Sequence, residues 1–296
     1  MDDAFLNAMI DNNFRPNFCH AWSIPHRYIY MKQKVVDNKK LSVARATGFI
    51  DLHNDAITAL KPQEFRRHVM SAETVGIHTI IVSVWATNLK SPMKKIKQYR
   101  KQIDSVKSGV TLLLHIEDAW FVDQSNIEEL IALRPFSVGL TWNSNNALAG
   151  GAYSGGRLTD LGREVVRRLS EGGIVIDLAH LNRQSFYDVV ELLRGKKLFC
   201  SHTCFDEVHP HARNLDRAQV QTIVDSDGLI GLTLVPEFLG GSVQRHIDYF
   251  IGNFGDRNLA IGTDFYGCDI EPNYTNYMNL PEGISHKNAR RFIDDL

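Results

Sequence analysis

Residues 158–180 read LTDLGREVVRRLSEGGIVIDLAH, a helix running into a strand. Leu158, Leu161, Val165, Val166 and Leu169 recur at helical spacing, which leaves Arg163, Glu164, Arg167 and Arg168 for solvent. Thr159, three residues before Gly162, is a cap signal, and Gly172-Gly173 is a stop. The run that follows is rich in Ile, Val and Leu rather than alternating, as a strand covered on both faces should be. It ends on a histidine.

The same unit recurs outward in both directions. Further strands are expected at 48–55 (GFIDLHND), 76–86 (GIHTIIVSVWA), 110–118 (VTLLLHIED) and 136–143 (FSVGLTWN). After 173–180 come 196–202 (KKLFCSH), 228–236 (GLIGLTLVP) and 258–265 (NLAIGTDF). Amphipathic stretches at 182–194, 216–227 and 242–254 lie between them, with Asn182 and Asp216 as N-caps and Gly195, Gly228 and Gly255 as stops. Eight strands with interleaved helices predict an α/β chain closed into a (β/α)8 TIM-like barrel. An open dinucleotide-binding sheet would need a glycine-rich turn after its first strand, where HND followed by AITAL stands instead. Residues 1–47, irregular and aromatic, are expected to be an N-terminal extension packed on a barrel spanning 48–296. Asn288 to Leu296 reads as the start of a helix, so the eighth helix is expected to be short or the natural chain to continue.

Composition narrows the function. Lys and Arg number 33 against 34 Asp and Glu, for a formal net charge of −1 and no basic tail, which argues against a nucleic-acid partner. No apolar run reaches 18 residues and the acidic start lacks a signal's basic and apolar regions, so no membrane association and a cytoplasmic location are expected. Cys200 and Cys204 flank Ser201-His202, but without a CxxC pair the four cysteines read as reduced thiols.

The ionisable residues collect where the expected strands end, the rim on which barrels of this type place their chemistry. Strand 1 ends His53-x-Asp55, an interval that puts both side chains on one face. Strand 3 ends Glu117-Asp118, His180 closes strand 5, His202 closes strand 6 and Asp264 ends strand 8. Three imidazoles with these carboxylates suit Zn2+, and Mn2+ or Co2+ fit the same donors. Asp55, Glu117 and Asp264, crowded together, would disfavour their own ionisation, whereas two divalent cations sharing a hydroxide would balance them. His78, His115 and His246 are better explained by packing or local hydrogen bonds, and Asp177 is either an inward partner of the ligands or a locally paired acid. Two stretches, GGAYSGG at 150–156 and HPHARN at 209–214, have the composition of substrate loops.

In order, DLHND (51–55), HIED (115–118), LTWNSNN (140–146), LTDLGREVV (158–166), IDLAH (176–180), SHTCFDEVHPHARNL (201–215) and IGTDFYG (261–267) resemble the membrane dipeptidase, or renal dipeptidase, family of binuclear zinc peptidases. The resemblance runs from Phe49 to Gly267 and implies a barrel of the metallo-dependent hydrolase type, a homodimer, and hydrolysis of dipeptides by a metal-bridged hydroxide. It implies two Zn2+ ions: His53 and Asp55 on the first, His180 and His202 on the second, Glu117 bridging them. Asp264 matches the catalytic acid beside the bridging water and Arg213 the arginine that grips the substrate carboxylate; Trp142 and Asn146 fall among the expected substrate contacts.

Two positions depart from the family pattern. Trp142 stands where the family has a histidine that helps hold the substrate carbonyl; an indole donates one hydrogen bond and cannot accept a proton. Asp118 replaces the usual glycine after the bridging glutamate. These departures keep two alternatives open: an amidohydrolase acting on another small carboxylated amide, and a catalytically weakened metal-binding homologue.

Overall fold

A computed structural model describes residues 49–296 other than 88, 275, 282 and 285; the extension expected at 1–47 lies outside the described residues. Eight parallel strands close into a barrel in chain order: β1 Phe49–Asn54, β2 Ile77–Trp85, β3 Thr111–Glu117, β4 Ser137–Gly139, β5 Val175–Asp177, β6 Phe199–Thr203, β7 Leu229–Leu232 and β8 Leu259–Ile261. Asp51 pairs with Ile261 to seal the ring. The fold expectation is met, and every expected strand is present, trimmed at both ends except β6, which starts later than expected and runs on to Thr203.

The helices begin where their caps predict. Thr159, Asn182 and Asp216 each accept the backbone N–H three residues on, opening helices Asp160–Glu171, Arg183–Leu192 and Arg217–Asp225. Their apolar faces join one large cluster between the strands and the helical ring. The final helix, His286–Asp294, sends Ala289 and Phe292 into the barrel's lower end, beside Ile50, Leu52, Ile81, Phe199, Leu229 and Ala260. Phe292 stacks on Phe199 with ring centres 5.6 Å apart, so this helix plugs the floor.

Two bulges separate that floor from the mouth. On β1, Asp51 and Asn54 pair with Ile80 and Val82 of β2, so one residue of β1 is extra. On β6, Cys200 and Thr203 pair with Ile230 and Leu232, again with one extra residue. A bulge re-aims the side chains beyond it. Leu52 therefore stays with the floor, while His53 lies against the rings of His115 and His202. Gly231 and Gly262 flank the second bulge because a Cβ at either would collide with the Ser201 carbonyl. Among the described residues no helix is long and apolar enough to cross a membrane.

Candidate metal centre

Every predicted ligand arrives at the mouth. His53, Asp55, Glu117, His180, His202 and Asp264, all buried, converge from β1, β3, β6 and the segments that follow β1, β5 and β8. His53 Nε2 is 3.3 Å from Asp55 Oδ2, 3.9 Å from Glu117 Oε2 and 3.7 Å from Asp264 Oδ1. On the other side, Glu117 Oε1 is 2.7 Å from His180 Nε2 and 3.6 Å from His202 Nε2. Among the overlapping donor groups, two, His53–Asp55–Glu117 and Glu117–His180–His202, share one carboxylate and use opposite oxygens of it, while Asp264 groups with His53 and His202.

Local chemistry tests whether cations fit. His53 Nε2 and Asp55 Oδ1 are buried without a hydrogen bond, an expensive arrangement for groups with nothing between them. His180 Nδ1 lies 2.9 Å from the Asn143 amide oxygen, which can only accept, so its Nε2 presents a lone pair. That nitrogen is 2.8 Å from His202 Nε2, a separation that requires a proton or a cation between them. With Glu117 Oε1 beside both, a divalent ion bound by neutral imidazole and carboxylate fits.

Charge on the metal-free groups points the same way. Burial opposes the charged form of His53, but Asp55, Glu117 and Asp264 outweigh it and raise its pKa to about 10. Burial raises Glu117 well above its usual range, with Asp55 and Asp264 adding to the effect and His53 opposing it. Asp264 is pushed up to about 7, chiefly by burial, against the pull of His53 and Arg213. Burial and the cations around them hold His180 and His202 well below the ordinary imidazole value. The protein alone protonates what it cannot otherwise compensate.

Backbone strain is concentrated at the same rim. His180 (φ 66°), Asp264 (φ 61°) and Asp118 (φ 62°) all adopt the left-handed conformation. At Asp118 this explains why a glycine would ordinarily stand there. Its carboxylate accepts from Thr87 Oγ1 (2.5 Å), from Asn146 Nδ2 (2.9 Å) and from the Trp142 backbone N–H. Asn146 is committed by this: its amide also donates to the Leu140 carbonyl (2.8 Å) and accepts from Leu148 and Ala149. In this geometry Asn146 clamps its own loop and has no N–H to spare for a substrate.

Arg213 lies beside the second donor group. Its Nη2 is 3.4 Å from His180 Nε2 and donates to the His202 carbonyl at 3.1 Å, while its guanidinium lies over Phe238. Its Nε is buried without a partner. A polar cavity of about 190 Å³ adjoins it, among His180, Arg183, Asp206, His211 and Asp216. The two expected substrate loops meet at the rim, where half-exposed Tyr153 sits edge-on to His211 at 5.9 Å.

Other contributors were left open in the sequence reading or are missing from it. Asp177, one of the alternatives left open there, turns inward and anchors the β6 bulge by accepting from Ser201 N (2.9 Å), with its other oxygen 3.6 Å from His115 Nε2. Asp51 accepts from Thr263 N, Thr263 Oγ1 and the Tyr277 hydroxyl, which ties β1 to the turn carrying Asp264. Gly267 is required because a Cβ there would strike the Asp55 and Asp264 carboxylates. The only sequence signal for it was a glycine three residues after the acid in IGTDFYG. Cys200 and Cys204 are buried free thiols and belong to neither donor group.

Residues 81–290, most of the chain, match the model of the family described as membrane dipeptidase, peptidase family M19. A Klebsiella pneumoniae protein, described as an uncharacterized protein in the pqqA 5′ region, is 26% identical over 60% of this chain and 72% of its own length. For three further curated relatives the matched stretch spans only 36% to 47% of the relative. Among solved structures, an amidohydrolase from Pseudomonas aeruginosa superposes with a TM-score of 0.72 at 18% identity, covering 86% of this chain and 98% of that one. A metallo peptidase from Rhodobacter sphaeroides, liganded with a phosphinate mimic of the dipeptide L-Ala-D-Ala, gives 0.65 at 18%, covering 84% and 99%. At these identities the superpositions speak for the fold.

Proposed function

Because this chain belongs to the membrane dipeptidase family, a family of metal-dependent hydrolases, we propose that it hydrolyses dipeptides at a two-zinc centre held by His53, Asp55, Glu117, His180 and His202. The observation that carries this reading is the division of labour at Glu117, whose two oxygens face two separate donor groups. Bound divalent ions would supply Lewis acidity and a water that is nucleophilic near neutral pH.

The remaining steps belong to the chain's own side chains. Asp264, buried beside His53 and pushed up to about 7 without metal, would take a proton from the attacking water and return it to the departing amine nitrogen. Arg213 presents a planar fork of N–H donors, so it would hold the free carboxylate of a short peptide. That preference would favour the bond next to a C-terminal residue over internal bonds of a long chain. Asn143 and Ser201 fix the orientation of His180 and His202 from behind.

Metal analysis with a dipeptide panel tests the reading. Two ions per chain and turnover lost on Glu117→Gln are expected. Two occupied sites with no dipeptide turnover would remove the peptidase assignment and leave the metal centre. The replacement of a histidine by Trp142 favours a second reading, an amidohydrolase for another small carboxylated amide. N-acyl amino acids and lactams assayed in parallel separate the two.

A further inference from the structure

One side of the mouth is aromatic and takes no part in the metal chemistry. Trp85, the last residue of β2, pairs in register with Glu117 of β3. Residues paired across neighbouring strands point to the same face, so its indole enters the mouth beside the shared carboxylate. Trp142 lies against it, with ring centres 5.2 Å apart, and its ring is 6.1 Å from that of His180. Both indoles are only partly buried, yet the Trp85 Nε1–H is shielded from solvent and has no acceptor among the described residues. A wall of two half-covered indoles with an unmatched donor is built for an occupant.

We propose that Trp85 and Trp142 form the specificity wall of the pocket, selecting dipeptides whose C-terminal residue carries an aromatic or bulky apolar side chain, with Asp118 as the residue that positions the wall. The inference rests on the dipeptidase reading above. Arg213 and Trp142 approach the same imidazole, that of His180. A carboxylate held by Arg213 therefore brings the residue that bears it to the indole side of Glu117. The other peptide residue faces His53 and Asp264. Asp118 holds the wall through its bond from the Trp142 backbone N–H, while its bonds from Thr87 and Asn146 fix it to both neighbouring loops.

The test is calorimetric binding of three phosphinate dipeptide mimics, Ala-Ala, Ala-Phe and Phe-Ala, to the zinc-loaded protein, alongside hydrolysis of the matching dipeptides. The Ala-Phe mimic should bind about tenfold more tightly than Ala-Ala, the scale of one good aromatic contact. Trp142→Ala should shrink that advantage to about twofold, and Trp142→Phe should keep most of it. Asp118→Ala should lower it as Trp142→Ala does, and Asp118→Asn, which keeps one acceptor oxygen, should restore part of it. An advantage that survives Trp142→Ala, one that belongs to Phe-Ala instead, or no binding of any mimic overturns the wall. Selective binding without hydrolysis of any dipeptide keeps the wall and removes the peptidase reading.

Discussion

Leu52 and His53 are adjacent in the chain and belong to different halves of the barrel. Leu52 packs with Ile50, Ile81, Phe199 and Phe292 in a dry floor; His53 faces Asp55, Glu117 and Asp264 at the mouth. The floor is close-packed hydrocarbon whose worth is stability. The mouth crowds buried carboxylates whose ionisation is opposed by burial and by one another, and which His53 offsets only in part until cations arrive. One extra residue in β1 lets the chain pass from one to the other. The comparison teaches that stability and chemistry are separable here, and substitutions on either side should fail in different ways.

The largest effect is expected at the mouth. Glu117→Gln removes the shared ligand from both donor groups, and kcat/KM should fall by roughly 10³-fold or more, with metal content falling alongside. The metal-free variant should nevertheless melt no lower than metal-free wild type, because burial already favours the neutral form of Glu117 and an amide is likewise uncharged. Scanning calorimetry of both apo proteins checks this. A drop in apo melting temperature would mean that Glu117 also supports the fold, and the separation would break.

At the floor the expected order is reversed. Leu52→Ala empties a fully buried site and should cost about 3 kcal/mol of unfolding free energy. The number of ions bound should not change. Denaturant titration and metal analysis of the same sample test both halves of that statement.

These two substitutions also mark what could be read from the chain in advance. The eight strands were legible because fully covered parallel strands must be apolar throughout. The rim residues were legible because they end those strands or lie within three residues of their ends. The His53–Asp55 pairing was inferred from a two-residue interval, and both side chains do reach the mouth. The bulges on β1 and β6, however, have no signature in LHND or CSHT, since they are created by register against the neighbouring strands. The left-handed backbone at His180 and Asp264 is likewise imposed by the closed ring. Trp85 escaped notice because only its pairing with Glu117 reveals which way it points. The last helix was seen as a fragment, and its role as a floor plug depends on Phe199 and Phe292, far apart in sequence, meeting.

A subtler intrusion sharpens the boundary from above. Gly267→Ala places a methyl group against the Asp55 and Asp264 carboxylates and should displace both. Zinc affinity should fall by about 10- to 100-fold, the range for changes that disturb ligand orientation. Competition with a chelating dye measures it. The melting temperature of the apo protein should stay near wild type, and unchanged zinc affinity would mean that the two acids are free to shift.

The smallest effect lies outside both halves, where His68 of helix Pro62–Thr74 packs behind the mouth. Its Nδ1 is 3.0 Å from the Tyr266 hydroxyl and its Nε2 3.5 Å from the Asn54 amide, and burial lowers its pKa to about 4. The folded state thus binds fewer protons than the unfolded state between the two pKa values. Stability conferred by the neutral ring is fully present above about 6.5 and is lost as pH falls toward 4. The full shift would be worth about 3 kcal/mol, but His68 is partly exposed, and screening reduces the expectation to about 1.5 kcal/mol. Unfolding free energies of apo wild type and His68→Gln at pH 6.5 and 4.5 isolate the term. The acid-induced loss should be smaller in the variant by about that amount, since glutamine does not titrate. Equal losses in both proteins would place the acid sensitivity in the carboxylates and imidazoles of the mouth, and the metal-free centre would then govern the pH dependence of the whole barrel.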